Sequence, residues 1–171
     1  MKMRKLFFNY QKEEKWVNEM AANGWHLIGY KIGRYTFEKG EPGEYDYCME
    51  LLEEAPATEK GIEYLTFMEE AGIECVASNL SWVYFRKKST GEPFVIYTDY
   101  GSRKKHLQRI IGSLAIVMLL NLATAIFNTV LGTFSSINFY VSILNWLIII
   151  AMMLLIWVYL KNLRELKQDS E

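Results

Sequence analysis

Between Ile110 and Leu160 this chain has no Asp, Glu, Lys, Arg or His. That absence argues against a water-soluble region, because helices in water need a wet face. Cysteine and histidine are scarce, two of each in 171 residues. With no Cys-x-x-Cys pair and no Cys/His cluster, neither structural zinc nor thioredoxin-like redox chemistry is indicated. Neither Gly40-Glu41-Pro42-Gly43 nor Gly91-Glu92-Pro93 is followed by Gly-Lys-Ser/Thr, so both read as turns rather than phosphate loops. The apolar run Leu6-Phe7-Phe8 is too short for the hydrophobic region of a signal peptide.

The uncharged stretch is itself the strongest positive signal. Its middle, Gly132 to Asn138, has the small and polar residues of a turn. Two membrane-spanning helices are expected, over 110–131 and 139–160. At about 1.5 Å per residue each covers roughly 33 Å, enough for a hydrocarbon core of about 30 Å. Arg103, Lys104, Lys105 and Arg109 precede the hairpin, Lys161, Arg164 and Lys167 follow it, and the turn has no basic residue. The positive-inside rule then places both termini in the cytoplasm, in a cell-membrane protein with two spans. Arg103, Lys104, Lys105 and Arg109 should contact lipid headgroups, at about 1 kcal/mol per basic residue. Within the spans, Asn121, Thr124 and Asn128 share one helix face, and Ser142 and Asn145 share another. They read as helix–helix packing contacts, within one hairpin or in a homo-oligomer. A conduction path would need ionisable groups or more helices.

Residues 1–102 form the expected cytoplasmic domain, with 12 Lys+Arg against 17 Asp+Glu, a net of −5. Such an acidic domain is a poor nucleic-acid binder. Strands are expected at 6–10, 25–30, 34–38 and 44–51, with a helix over 13–23 ended by Gly24. The pattern then returns as a helix over 61–71, ended by Gly72, and strands at 73–77, 82–87 and 94–98. Tyr35-Thr36-Phe37-Glu38-Lys39 answers Val83-Tyr84-Phe85-Arg86-Lys87, although Ile73 stands where an aromatic would echo Trp25. The expected fold is therefore α+β. Duplicated helix–strand–strand–strand units, about 11–52 and 59–98, follow one extra strand. They should build a ferredoxin-like antiparallel sheet with two helices on one face. Residues 103–109 link this domain to the hairpin, and 161–171 form a cytoplasmic tail.

Chemistry-bearing residues are few. Cys48 and Cys75 read as buried small hydrophobes. A His26–Cys48 pair lacks an evident orienting group and oxyanion donor. Glu44, Asp46 and Glu50 share one strand face, which a solvated sheet surface explains better than a cation site. The aromatic load is more telling, and Trp25, Tyr35, Trp82 and Tyr84 are the candidates for a ligand or partner groove. Tyr35 and Tyr84 fall on opposite parities of equivalent strands, so at least one is expected to face away from the helices.

Three blocks also resemble a known family. Glu14-Lys15-Trp16-Val17-Asn18-Glu19-Met20-Ala21-Ala22-Asn23-Gly24-Trp25-His26-Leu27, Gly33 to Pro42, and Trp82-Val83-Tyr84-Phe85-Arg86-Lys87 resemble, in order, blocks of the bacterial domain of unknown function 2812. The resemblance spans about residues 7–100. It implies a membrane tail and a gene often placed beside a PadR-like transcriptional regulator, and it carries over no catalytic residue. The expected function is a non-enzymatic, membrane-anchored cytoplasmic binding protein of sensory or regulatory type, with no cofactor or metal. Its expected partners are membrane lipids and a PadR-like regulator. The alternative is a small accessory subunit of a membrane transport or export system, packed against a transporter.

Overall fold

The computed structural model describes residues 1–97, 100–132 and 136–168, and the chain divides into two compact units, Met1–Thr98 and Asp99–Glu171. The first unit runs β1 (Lys2–Arg4), α1 (Tyr10–Ala22), β2 (Trp25–Lys31), β3 (Arg34–Lys39), β4 (Tyr45–Leu51), α2 (Glu59–Glu70), β5 (Glu74–Asn79) and β6 (Trp82–Lys88). Six strands form two three-stranded antiparallel sheets, ordered β1-β3-β2 and β4-β6-β5. The class is α+β, and the duplication is plain in the shared order.

Its phase, however, is one strand earlier than expected. Each unit is strand–helix–strand–strand, so β4 opens the second half rather than closing the first. The repeat extends to irregularities. A register shift at Leu27/Gly29 in β2 recurs at Cys75/Ala77 in β5, each against the matching stretch of the third strand. Each hairpin turns on a non-glycine residue with positive φ, Ile32 at 37° and Leu80 at 55°. Gly24 and Gly72, at φ 76° and 78°, each follow their helix and bond back to its last turn. This is the left-handed closure that favours glycine.

Two expected strands lie elsewhere. The expected strand 6–10 is instead the connection Leu6–Asn9 and the first residue of α1, and the strand is Lys2–Arg4, paired to Arg34–Thr36. Asn9 caps α1 by accepting from the Lys12 N–H at 3.1 Å, and Phe7 packs on Trp16 and Tyr35 instead of joining a ladder. Residues 94–97 are irregular, while Thr98 lies outside the described residues. Phe94 and Ile96 still fill the core beneath α2.

Helix α1 serves both sheets. Its buried residues Glu13, Val17 and Ala21 recur every fourth position, on one face. Val17 and Ala21 share a core with Leu27, Tyr35 and Phe37 of the first sheet and Tyr47, Met49 and Tyr84 of the second. The other face of the second sheet, with Val83 and Phe85, packs on Met68 and Tyr64 of α2. The two helices thus lie on opposite faces of the second sheet. Full burial of each such side chain contributes about 1.5–3 kcal/mol.

The second unit consists of α3 (Tyr100–Gly132) and α4 (Ser136–Gln168). Both are long and apolar enough to cross a membrane. Leu119, Leu120, Leu144, Leu154 and Trp157 are exposed, the reverse of a buried hairpin in a soluble core and the pattern of a membrane protein. Arg103, Lys104, Lys105 and Arg109 occupy the first turns of α3, so the expected linker is helical and continuous with the span. The centre of the expected turn, 133–135, and the tail's end, 169–171, lie outside the described residues.

Candidate functional site

The four aromatic residues singled out from the sequence belong to one core. Tyr35 and Tyr84 are 1% exposed and fully enclosed, while Trp25 and Trp82 are half-buried at its margin. Both tyrosine hydroxyls donate to the same oxygen, Oε1 of Glu13. Opposite strand parity does not separate them, because the two sheets turn opposite faces of the repeat toward α1. Burial pushes both phenols up, and the Glu13 carboxylate adds to the shift. The Tyr30 ring packs tilted against both, with centroids 4.8 and 5.0 Å away, and the Tyr10 ring packs tilted on Trp82 at 5.3 Å. The cluster joins α1, β2, β3 and β6 across the repeat, and one Glu13 oxygen takes up both buried tyrosine hydroxyls.

The adjacent stripe of α1 does different work. Strand β4 is the edge of the second sheet, and its outward backbone groups need partners. The Asn18 amide supplies two at once. Its Nδ2 donates to the Tyr47 carbonyl and its Oδ1 accepts from the Tyr47 N–H, each at 2.8 Å. One turn earlier, Glu14 Oε2 accepts from the Met49 N–H at 2.6 Å. Two helix side chains therefore stand in for a neighbouring strand.

Potential reactive groups are muted. Burial, with the Glu14 charge beside it, pushes the Cys48 thiol up, away from thiolate. His26 is 3% exposed, its Nε2 lies 2.9 Å from the Glu41 carbonyl oxygen, and its ring packs on Tyr45. Glu50, expected on a solvated face, is instead 4% exposed and accepts from the Tyr64 and Tyr97 hydroxyls. That face is covered by α2 and by residues 94–97. Among the described residues no three His, Cys, Asp or Glu gather into a group that could hold a metal ion.

In the hairpin, the least exposed residues alternate at three- and four-residue spacing. Through its middle these are Met118, Asn121, Ala125, Asn128 and Gly132 on α3, and Asn138, Ser142, Asn145, Ile149 and Met152 on α4, and towards the other end Ile110 and Tyr159 are buried. That is the seam of an antiparallel pair. Asn121, Asn128, Ser142 and Asn145 lie on it, whereas Thr124 is exposed. Thr129 rather than Asn128 makes the polar crossing, its hydroxyl meeting Ser142 at 2.6 Å and accepting from the Trp146 indole N–H at 3.1 Å. Asn128 instead donates to the Thr124 carbonyl of its own helix. Short hydroxyls can meet only where the helices come close. A Cβ on nearby Gly132 would lie 3.1 Å from the Phe139 backbone. Thr129→Val should therefore weaken the hairpin by roughly 0.6–1.7 kcal/mol. Thr129→Cys with Ser142→Cys should crosslink within one chain, and a preferred Ile126–Ser142 crosslink would reverse the assigned faces.

A family model described as a protein of unknown function, DUF2812, matches residues 9–120, from the cap of α1 into the apolar run of α3. The chain belongs to the DUF2812 family. No curated protein and no solved structure matches it. The DUF2812 match takes in both helices of the α+β unit and carries on into the first candidate span.

In this DUF2812 protein Glu14 offers a test of how strongly α1 is committed to the β4 edge. Burial raises its pKa above the ordinary 4.5, against smaller lowering contributions from the Met49 N–H and the Cys48 thiol. A raised folded-state value favours the neutral carboxyl. The linked stability is full below the ordinary value and is lost as pH rises through the raised one. Gln at this position still accepts from Met49 but does not ionise. Glu14→Gln should thus match or exceed the parent at pH 7, with urea midpoints flatter from about pH 4 to 7.

Proposed function

We propose that this DUF2812 protein is a membrane-anchored binding protein of sensory or regulatory type, whose α+β unit works in the cytoplasm without catalysis. The basic residues flanking the hairpin, with none expected in its turn, support that orientation. The observation that carries the binding reading is the outer face of α2. Glu59, Glu63, Glu69 and Glu70 line it together with exposed Ile62 and Phe67. Gly61, Tyr64, Leu65 and Met68 take the inward positions. An acidic helix face with two uncovered apolar side chains suits a partner with a basic surface. A DNA-binding regulator of the PadR-like kind has such a surface, since phosphate neutralisation requires Lys and Arg.

Two measurements test this. A photocrosslinker at Phe67 in intact cells should capture a DNA-binding regulator, and Glu63→Lys with Glu70→Lys should abolish the capture. Capture of a permease or ATPase subunit by crosslinkers at Leu120 or Leu144 would favour the accessory-subunit role. For orientation, Ser135→Cys in a Cys48→Ala, Cys75→Ala chain should label with an impermeant reagent applied outside the cell. Labelling of Ser170→Cys instead would invert the topology.

A further inference from the structure

The two hairpins of the repeat match in position and differ in surroundings. Ile32 and Leu80 sit at equivalent turns and are both largely exposed. The β1–α1 connection, which runs past Gly33, lays two more apolar side chains on the surface. Leu6 is 74% exposed and Phe8 84%, against 75% for Ile32. Contact with the hairpin is direct, since a Cβ on Gly33 would lie 2.6 Å from Leu6 Cδ2 and the Lys5 N–H donates to the Gly33 carbonyl at 3.0 Å. Folding normally hides such residues.

Basic side chains collar this tip. Arg4 and Lys31 both pair with Arg34 across neighbouring strands, and Lys2 lies two residues along the same face. All four are exposed. Like charges directly opposite in a sheet are destabilising, so the row is kept at a cost to the fold. Residues 1–12 and 27–37 contain no Asp or Glu and hold six of the 12 Lys+Arg found in residues 1–102. The rest of those residues carry the other six against all 17 Asp+Glu. Charge is therefore uneven along the domain, with only basic residues in the two segments that form this tip and a net acidic balance in the rest. Around Leu80 residues 75–85 contain no charge at all.

We propose that this tip docks on the membrane surface. Leu6, Phe8 and Ile32 enter the interfacial layer, and Lys2, Arg4, Lys31 and Arg34 bind anionic phospholipid headgroups. Charge complementarity selects that occupant. The candidate spans in the same chain supply it, because they hold a phosphate-rich surface within reach at all times. Apolar side chains inside a basic collar suit a membrane interface, where buried apolar area and attraction to anionic lipid add. The acidic remainder of the domain is repelled by the same surface, which orients the domain tip-first.

The proposal rests on membrane anchorage, and its test keeps the two apart. The full chain would be reconstituted in nanodiscs of phosphatidylcholine, with or without phosphatidylglycerol. An environment-sensitive fluorophore would be placed at Ile32→Cys, or at Leu80→Cys as the internal control, in the Cys48→Ala, Cys75→Ala chain. At Ile32 the emission should shift to the blue and be quenched by nitroxide-labelled lipid in the anionic discs. Three changes should remove the shift: neutral discs, Lys31→Gln with Arg34→Gln, and about 1 M salt, where the Debye length falls to about 3 Å. The Leu80 label should stay aqueous throughout. An Ile32 label that stays aqueous in anionic discs overturns the proposal. So does a shift shared by Leu80, or one indifferent to lipid charge and salt. Failure of the chain to co-elute with discs would instead overturn the anchor.

Discussion

Glu13→Ala should be the most damaging single change in the α+β unit. One carboxylate oxygen there accepts from the hydroxyls of Tyr35 and Tyr84, both 1% exposed. Truncation leaves two buried O–H groups unpaired, at about 1–3 kcal/mol each, and a void where the side chain lay. A total of roughly 3–5 kcal/mol is a large part of the 5–15 kcal/mol available to a domain of this kind. With a urea slope of about 1–3 kcal/mol/M, the full chain in mild detergent should lose at least 1 M from its midpoint. Tryptophan emission reports the domain through Trp16, Trp25 and Trp82. Glu13→Gln separates acceptor from charge. Its amide oxygen can still accept from both hydroxyls, so it should lose only the charge-assisted part, about 1 kcal/mol. Tyr35→Phe and Tyr84→Phe should each cost about 1–2 kcal/mol, the span for one such bond. If Glu13→Ala costs no more than Tyr35→Phe, the carboxylate does not hold the two sheets together.

Part of this arrangement could be read in the chain. Glu13, Val17 and Ala21 fall on one helical stripe, and a carboxylate on an apolar stripe signals a buried acid with partners. Gly24 and Gly72 mark the helix ends and so disclose the repeat. Its phase was hidden, because β1 is three residues long and two of them are Lys2 and Arg4. Pairing with β3, not local propensity, makes that segment a strand. Strand parity correctly set Asp46 and Glu50 on one face of β4, opposite the Tyr47 and Met49 that face the α1 core. What it could not supply was the number of sheets. For that reason the expectation that Tyr35 or Tyr84 must face away did not survive, and Glu50 turned out to be buried. The hairpin repeats the lesson at smaller scale. Helical spacing placed Asn128 on the seam, but an amide that bonds back to Thr124 leaves the crossing to its neighbour Thr129.

Asn18→Ala should change how the protein behaves towards copies of itself. The Asn18 amide pairs both backbone groups of Tyr47 at 2.8 Å, as a neighbouring strand would. Removing it leaves a partly buried N–H and C=O without partners. That should cost about 2–4 kcal/mol at roughly 1–2 kcal/mol per group. It also uncovers the outer edge of β4, a seven-residue strand containing Tyr45, Tyr47 and Met49. Unpaired edges of that kind recruit further strands. The variant should thus be less stable and should also self-associate with rising concentration, which light scattering on detergent-solubilised chain would show. Glu14→Gln, which keeps the Met49 bond, should stay monodisperse. Asn18→Asp discriminates further, because a carboxylate can accept from the Tyr47 N–H but cannot donate to its carbonyl. It should lose about half as much as Asn18→Ala. If Asn18→Ala destabilises without associating, some other group shields the β4 edge, and the amide serves only to dock α1.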